Sequence, residues 1–411
     1  MGQARRLNYC NPSSQSFTQS PSRDRKPGYL VAALLSWAIA LLLQAGCVSQ
    51  SAPLPVPLSR SPPSTMTFSP FGFYYVDDDL ALEPAAYRAG QLDAIGAIAA
   101  AGFNTIHLPI YGELDHFQTV LDSAEAEGLK VIADYQSNLP RAQVVSQFKD
   151  APALLSWNIG DDVNVEFEPS ALASIDAAVQ AIDLETPTYI SMFDPDPRAI
   201  EPYLATADWI GMQSYPIGDR SLDATFSEIS AAVETAQRWG NKPVIANLQA
   251  FEWKQTEPSS PTRIPSFEEV RNMTFQAYAA GAQGALYYTY RDADWFLPGQ
   301  TSLWESMAHL VPEVEAIEPW ILQGERSAIS LDHHLLKATW ELGDQQLLMV
   351  ISTGYEAQTI EFEQISPQLG SGTASMQSLL GGKPENLSLN ADGWVVGSLN
   401  PLDVQLYQIQ L

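Results

Sequence analysis

Between residues 66 and 323 the chain alternates, eight times over, a short apolar run with a longer segment of helical spacing. Few folds absorb that order. The runs are Thr67–Val76, Asn104–Ile110, Lys130–Tyr135, Leu154–Gly160, Thr188–Phe193, Trp209–Tyr215, Pro243–Leu248 and Ala285–Tyr290. Each is rich in β-branched or aromatic residues and continuously apolar, the pattern of parallel strands buried on both faces. Among the segments between them, Ala85–Ala101 ends at Gly102 and Phe117–Glu127 at Gly128. A glycine there closes a helix in the left-handed conformation. Ser266–Ala280 opens with Ser266 and Glu269 in capping-box spacing, and Leu303–Leu322 closes the series. Eight strand–helix units predict an α/β fold, a (β/α)8 TIM barrel over residues 66–323. The main rival is a doubly wound open sheet. Even spacing and the lack of a glycine-rich phosphate loop count against it.

Beyond Gly324 the pattern shortens. Lys337–Glu341, Gln346–Ser352, Gln358–Phe362, Trp394–Gly397 and Asp403–Gln410 read as strands between Gly, Asn, Asp and Pro turns. They predict a small antiparallel, β-sandwich-like domain over residues 324–411, with bracing of the barrel as its default role.

The first 46 residues belong to neither part. Arg5, Arg6, Arg23, Arg25 and Lys26 precede the apolar run Tyr29–Ala45. Positive charge followed by an apolar stretch is the layout of a signal segment. The run ends in Gln44-Ala45-Gly46-Cys47, similar to a bacterial lipobox, with Gln44 where an aliphatic residue is usual. The expectation is cleavage before Cys47 and its lipidation; the alternative is an uncleaved membrane helix. Both place the rest outside the cytoplasm, at the periplasm or cell surface. Residues 47–65, rich in Ser and Pro, read as a tether. With Cys10 and Cys47 the only cysteines, the folded part has no disulfide or thiolate site.

The chain carries 48 Asp and Glu against 21 Lys and Arg, a net charge of −27. Such a surface excludes binding to a nucleic-acid backbone and suits a neutral partner. Barrels of this type hold their sites at the C-terminal strand ends. The residues there are Tyr111 after the second run, Asp134 on the third, and Asp161 and Asp162 after the fourth. Gln213 and Tyr215 lie on the sixth, and Gln249, Glu252 and Trp253 follow the seventh. Tyr290, Asp292 and Trp295 lie at the eighth. The rim is acidic and aromatic. Aromatic faces stack on sugar rings, and carboxyl pairs perform glycosidic cleavage. No metal or other cofactor is called for. The aspartates Asp77–Asp79 read as a solvated loop, because calcium-ligand spacing is missing.

The barrel segment resembles the clan A glycoside hydrolases over roughly residues 68–323. AAGFNTIHLP is similar to the second-strand motif, with His107 where Arg is common. LLSWNIGDDVN resembles the fourth-strand motif that ends in Asn-Glu-Pro or Asp-Glu-Pro, IGMQSYPI the sixth strand, KPVIANLQAF the seventh and GAQGALYYTY the eighth. The resemblance implies that Asp162 occupies the place of the acid/base Glu, Asp161 the residue before it, and Tyr215 the site tyrosine. It departs on the seventh strand, where Asn247 to Gln249 offer no carboxylate for the nucleophile; Glu252, a few residues on, is the remaining candidate. The expectation is therefore a glycoside hydrolase acting on an extracytoplasmic carbohydrate, with Asp162, Glu252 and Asp161 as its catalytic carboxyls. The alternative is a non-catalytic carbohydrate-binding lipoprotein on a degenerate barrel.

Overall fold

The computed structural model describes residues 66–76, 84–110, 114–135, 139–253, 262–292, 295–363, 375–380, 387–390 and 394–410. The signal segment, Cys47, the tether, Asp77–Asp79 and Tyr111 lie outside them.

Eight parallel strands form one closed sheet: β1 (Phe71–Tyr75), β2 (Thr105–Ile110), β3 (Lys130–Tyr135), β4 (Leu154–Gly160), β5 (Thr188–Met192), β6 (Trp209–Ser214), β7 (Val244–Gln249) and β8 (Gly284–Asp292). Each pairs with the next, and β1 pairs with β8 to close the barrel. Each strand begins within four residues of the start its apolar run predicts. The helices are α1 (Pro84–Ala100), α2 (Leu114–Ala126), α3 (Arg141–Phe148), α4 (Val163–Glu166), α5 (Pro169–Gln180), α6 (Pro197–Ile200), α7 (Ala224–Arg238), α8 (Phe267–Ala280), α9 (Thr301–Met307) and α10 (Leu310–Gln323). The single helix expected over Leu303–Leu322 is thus two, α9 and α10, parted at Ala308–His309. A two-residue strand β9 (Trp295–Phe296) folds back on β8.

Why the runs are continuously apolar is now visible. Alternate residues face opposite ways. Tyr74, Ile132, Tyr189, Trp209, Ile245 and Leu286 fill the barrel. Phe71, Phe73, Ile106, Val131, Ile190 and Leu248 pack outward against the helix layer. Each fully buried side chain of this size contributes about 1.5–3 kcal/mol.

The remaining strands are β10 (Glu325–Asp332), β11 (Leu335–Leu342), β12 (Gln345–Ser352), β13 (Gln358–Glu363), β14 (Ser375–Ser378), β15 (Leu387–Leu389), β16 (Trp394–Leu399) and β17 (Val404–Gln410). They form a five-stranded sheet, β10-β11-β12-β17-β14, and a three-stranded sheet, β13-β16-β15. Strand β12 faces both ways. Leu347, Met349 and Ile351 join the barrel's core, while Leu348 and Val350 pack on Ile360, Phe362 and Val395 of the smaller sheet.

Helix α8 carries the docking. From Glu269 to Ala280 every residue is buried, because the helix lies between the barrel strands and the five-stranded sheet. Two of its polar side chains tie it to neighbouring elements. Arg271 donates to Glu313 at 2.6 Å and to the Val404 carbonyl at 3.0 Å. Asn272 donates to the carbonyls of Ser352 and Leu402 at 2.9 and 3.0 Å. The C-terminal sheets therefore brace the barrel through the helix that follows β7. The Ser266–Glu269 capping box forms as the sequence predicts.

Candidate active site

The fourth strand delivers the central pair. Gly160 ends β4 where a side chain has no room: a Cβ would stand 2.7 Å from Val163 Cγ1 and 3.0 Å from Leu172 Cδ2. That close approach lets α4 and α5 fold back directly behind the strand end. The chain then turns through Asp162, whose backbone is left-handed at φ 48° and ψ 35°. This conformation costs an L-residue about 1–2 kcal/mol, with Asp among the more tolerant types. It aims the two neighbouring side chains into different environments.

Asp161 points into the barrel. It accepts hydrogen bonds from Ser191 on β5 and from the backbone N–H of Asp162, and its Oδ1 is buried without a partner. Burial pushes its carboxyl up to about 7; the charges of Asp162 and then Asp134 add to that, and the hydrogen bonds oppose it. Asp162 faces Gln213, whose Nε2 donates to Asp162 Oδ1 at 2.7 Å. Its carboxyl is also raised, by burial first, then by Glu166 against the opposing Gln213 contact. Two adjacent carboxyls, both reluctant to ionise, hold a proton close to neutral pH.

A polar network lies beneath the pair. Gln213 also donates to Ser191 Oγ at 3.0 Å. Asn247 on β7 donates to Ser191 Oγ at 3.1 Å and to the Tyr74 hydroxyl at 3.0 Å. The Tyr189 hydroxyl donates to Asn247 Oδ1 at 3.0 Å. Lower still, His107 stacks on Tyr74 with centroids 4.0 Å apart, and Asn158 donates to its Nε2 at 3.0 Å. Burial lowers the His107 pKa to about 3, so it is a neutral packing residue of the barrel interior rather than a base.

An aromatic wall stands across β6 to β8. Tyr215 meets Phe251, Trp253 and Tyr288 at centroid distances of 5.2, 6.2 and 5.9 Å. Tyr288 donates to Asp292 at 2.9 Å. Glu252, half-buried, lies between Phe251 and Trp253 just beyond β7.

The structure thus brings Asp134, Asp161, Asp162 and Gln213 into one electrostatic cluster and assembles Tyr215, Trp253 and Asp292 with Tyr288 on one wall. Three expected ligand contacts fall elsewhere. Gln249 is fully buried, and its amide is committed to the backbone: Oε1 accepts from Ile217 N at 2.8 Å, and Nε2 donates to the Ile217 and Phe251 carbonyls at 3.1 Å each. It fastens the β6 and β7 loops together. Tyr290 packs outward among Phe73, Phe296 and Trp304. The β1–β8 register shifts between Phe73 and Tyr75, taking up two extra residues of β8, so strand alternation does not carry Tyr290 to the mouth. Trp295 lies on the edge of the main core, with its indole N–H buried. The sequence reading missed Tyr74, Tyr189, Ser191 and Asn158. Their signal was polar groups at alternate positions within otherwise apolar runs.

No family model and no curated protein sequence matches the chain. Solved structures do. An Anoxybacillus alpha-amylase described as a new glycosyl hydrolase subclass is 12% identical, with a TM-score of 0.56, over 83% of this chain and 98% of its own. The alpha-amylase of Geobacillus thermoleovorans, complexed with acarbose, is 12% identical with a TM-score of 0.55, over 84% and 98%. AmyP in complex with maltose is 13% identical with a TM-score of 0.56, over 78% and 89%. At these identities the likeness shows the fold: a (β/α)8 barrel followed by a β-rich C-terminal part, shared with glycoside hydrolases.

Proposed function

We propose that the chain is an extracytoplasmic glycoside hydrolase, anchored through Cys47, that cleaves a neutral glycan at the mouth of its barrel. One observation carries the reading: two adjacent carboxyls at the end of β4, both held above the ordinary carboxylate range, in a mouth walled by Tyr215, Trp253 and Tyr288. The fold neighbours crystallised with acarbose and maltose support carbohydrate as the ligand class.

Cleavage needs a proton on the leaving glycosidic oxygen and an electron pair at the anomeric carbon. The Asp161–Asp162 dyad supplies the proton. Glu252 is the candidate for the second carboxyl, attacking directly or taking a proton from the water that attacks. Its separation from the dyad selects between these: about 5–5.5 Å for retention and about 6.5–9.5 Å for inversion. Tyr215 and Trp253 would stack on sugar rings, and Gln213, Asp134 and Asp292 would hydrogen-bond hydroxyls.

The β7 residues favour a second reading. Asn247 and Gln249 stand near the position of the clan's nucleophile, and both are committed internally. A barrel that binds glycan without cleaving it would also show this. Turnover decides. Purified protein is offered a panel of neutral glycans, with the released anomer followed by NMR. Hydrolysis that Asp162→Asn removes while glycan binding persists supports the enzyme; binding without hydrolysis supports the alternative.

A further inference from the structure

Hydrogen counting in the network under the dyad leads further than the presence of two carboxyls. Gln213 Nε2 has two hydrogens, and they point at Asp162 Oδ1 and Ser191 Oγ. An amide N–H cannot accept a proton, so this contact favours Asp162 as a carboxylate. The Tyr189 hydroxyl donates to Asn247 Oδ1. Asn247 Nδ2 faces the Tyr189, Tyr74 and Ser191 hydroxyls at 2.9, 3.0 and 3.1 Å, two hydrogens for three acceptors. The Ser191 oxygen receives the Gln213 N–H and lies within reach of Asn247 as a second donor. Its own hydrogen leaves toward an acceptor, and the Asp161 carboxyl is the stronger one beside it. Tyr189 is the weaker acceptor.

Asp161 thus takes donors from Ser191 and from the Asp162 backbone, while its Oδ1 is buried with none. A carboxylate with an orphaned oxygen in a buried site is costly, and a neutral acid much less so. We propose that the dyad's single proton resides on Asp161 and that Asp162 is the ionised member; Gln213 is the positioning residue that favours this order, and Ser191 limits it by donating to Asp161. The groups facing Asp161 agree. Asp162 and, from β3, Asp134 oppose a charge on it, and Tyr74 from β1 and Tyr189 from β5 are kept neutral by burial. From α4, Glu166 acts on Asp162. The reverse order would put the proton on Asp162 Oδ2 and turn the charge-assisted Gln213 contact at Oδ1 into a weaker neutral one. Asn247, on β7, adds a second donor beside Ser191.

The inference deepens the glycosidase reading, yet its test needs no turnover. The full-length protein, labelled with 13C at the aspartate carboxyls, is titrated by NMR without substrate. The resonance lost in Asp161→Asn should titrate highest, and that lost in Asp162→Asn lower. Ser191→Ala should raise the Asp161 midpoint by about 1–2 pH units, the worth of a hydrogen bond to a charged group. Ser191→Thr, which keeps the hydroxyl, should restore it. A highest titration on Asp162, or an Asp161 midpoint unmoved by Ser191→Ala, overturns the proposal. Absence of hydrolysis on every glycan would remove the glycosidase reading and leave this titration order standing.

Discussion

Asp161→Asn should make the protein more stable at pH 8 and leave it no more stable at pH 4. A carboxyl whose folded-state pKa is raised binds protons that the unfolded chain has already released. Wild-type stability is therefore unaffected below about 4, falls as the pH rises through 4 to 7, and stays reduced above that. Asp161 moves from 3.8 to about 7. At about 1.4 kcal/mol per pH unit the cumulative loss is on the order of 4 kcal/mol. Asparagine keeps the shape and removes the charge. It places an amide N–H or carbonyl at the orphaned Oδ1 position, an unsatisfied group costing about 1–3 kcal/mol. The net gain at pH 8 is then about 1–3 kcal/mol, and the deficit at pH 4 is of similar size. Urea denaturation of both proteins across pH 4 to 8 gives the difference directly. Its pH-dependent part reports Asp161 together with its neighbour Asp162, since the other groups common to both proteins largely cancel. Parallel stability curves would mean that Asp161 ionises in the fold as easily as in the open chain.

Other positions carry independent expectations. Gln249→Leu removes three hydrogen bonds to the Ile217 and Phe251 backbone and should lower stability by about 2–4 kcal/mol, read as a reduced urea midpoint. Asn272→Leu strips the Ser352 and Leu402 carbonyls of their donor; a loss of about 2–4 kcal/mol should come with faster proteolysis in the C-terminal sheets. Ser266→Ala breaks the capping box of α8 and should cost about 0.5–2 kcal/mol in the same denaturation assay.

The barrel was legible because its strands are buried on both faces, and composition alone marks such strands. Leu154–Gly160 and Lys130–Tyr135 come out with the boundaries their sequences suggest. Strands β10, β14 and β15 were not legible. Glu325–Asp332 and Ser375–Ser378 are short on apolar residues and are defined by pairing with distant strands, which no local pattern records. The α9–α10 break was hidden because both helices share one apolar periodicity. At the site, the acids after β4 were readable from their abrupt position at the end of an apolar run. The network beneath was not. Tyr74, Ser191, Tyr189 and Asn247 come from β1, β5 and β7, and only barrel closure brings them together. Tyr290 was misplaced for a related reason, since period-two reasoning fails across a register shift.

Hydrolysis of a glycosidic bond by the Asp161–Asp162 dyad can be read from kcat/KM of the wild-type protein, Asp161→Asn and Asp162→Asn on a neutral glycan that the wild type binds. The wild type should turn the glycan over and each variant should lose about 10²–10⁴-fold, the usual contribution of acid–base catalysis, with binding of the same glycan retained. Binding without turnover by the wild type, or turnover unchanged when either aspartate is replaced, would contradict that role for the dyad.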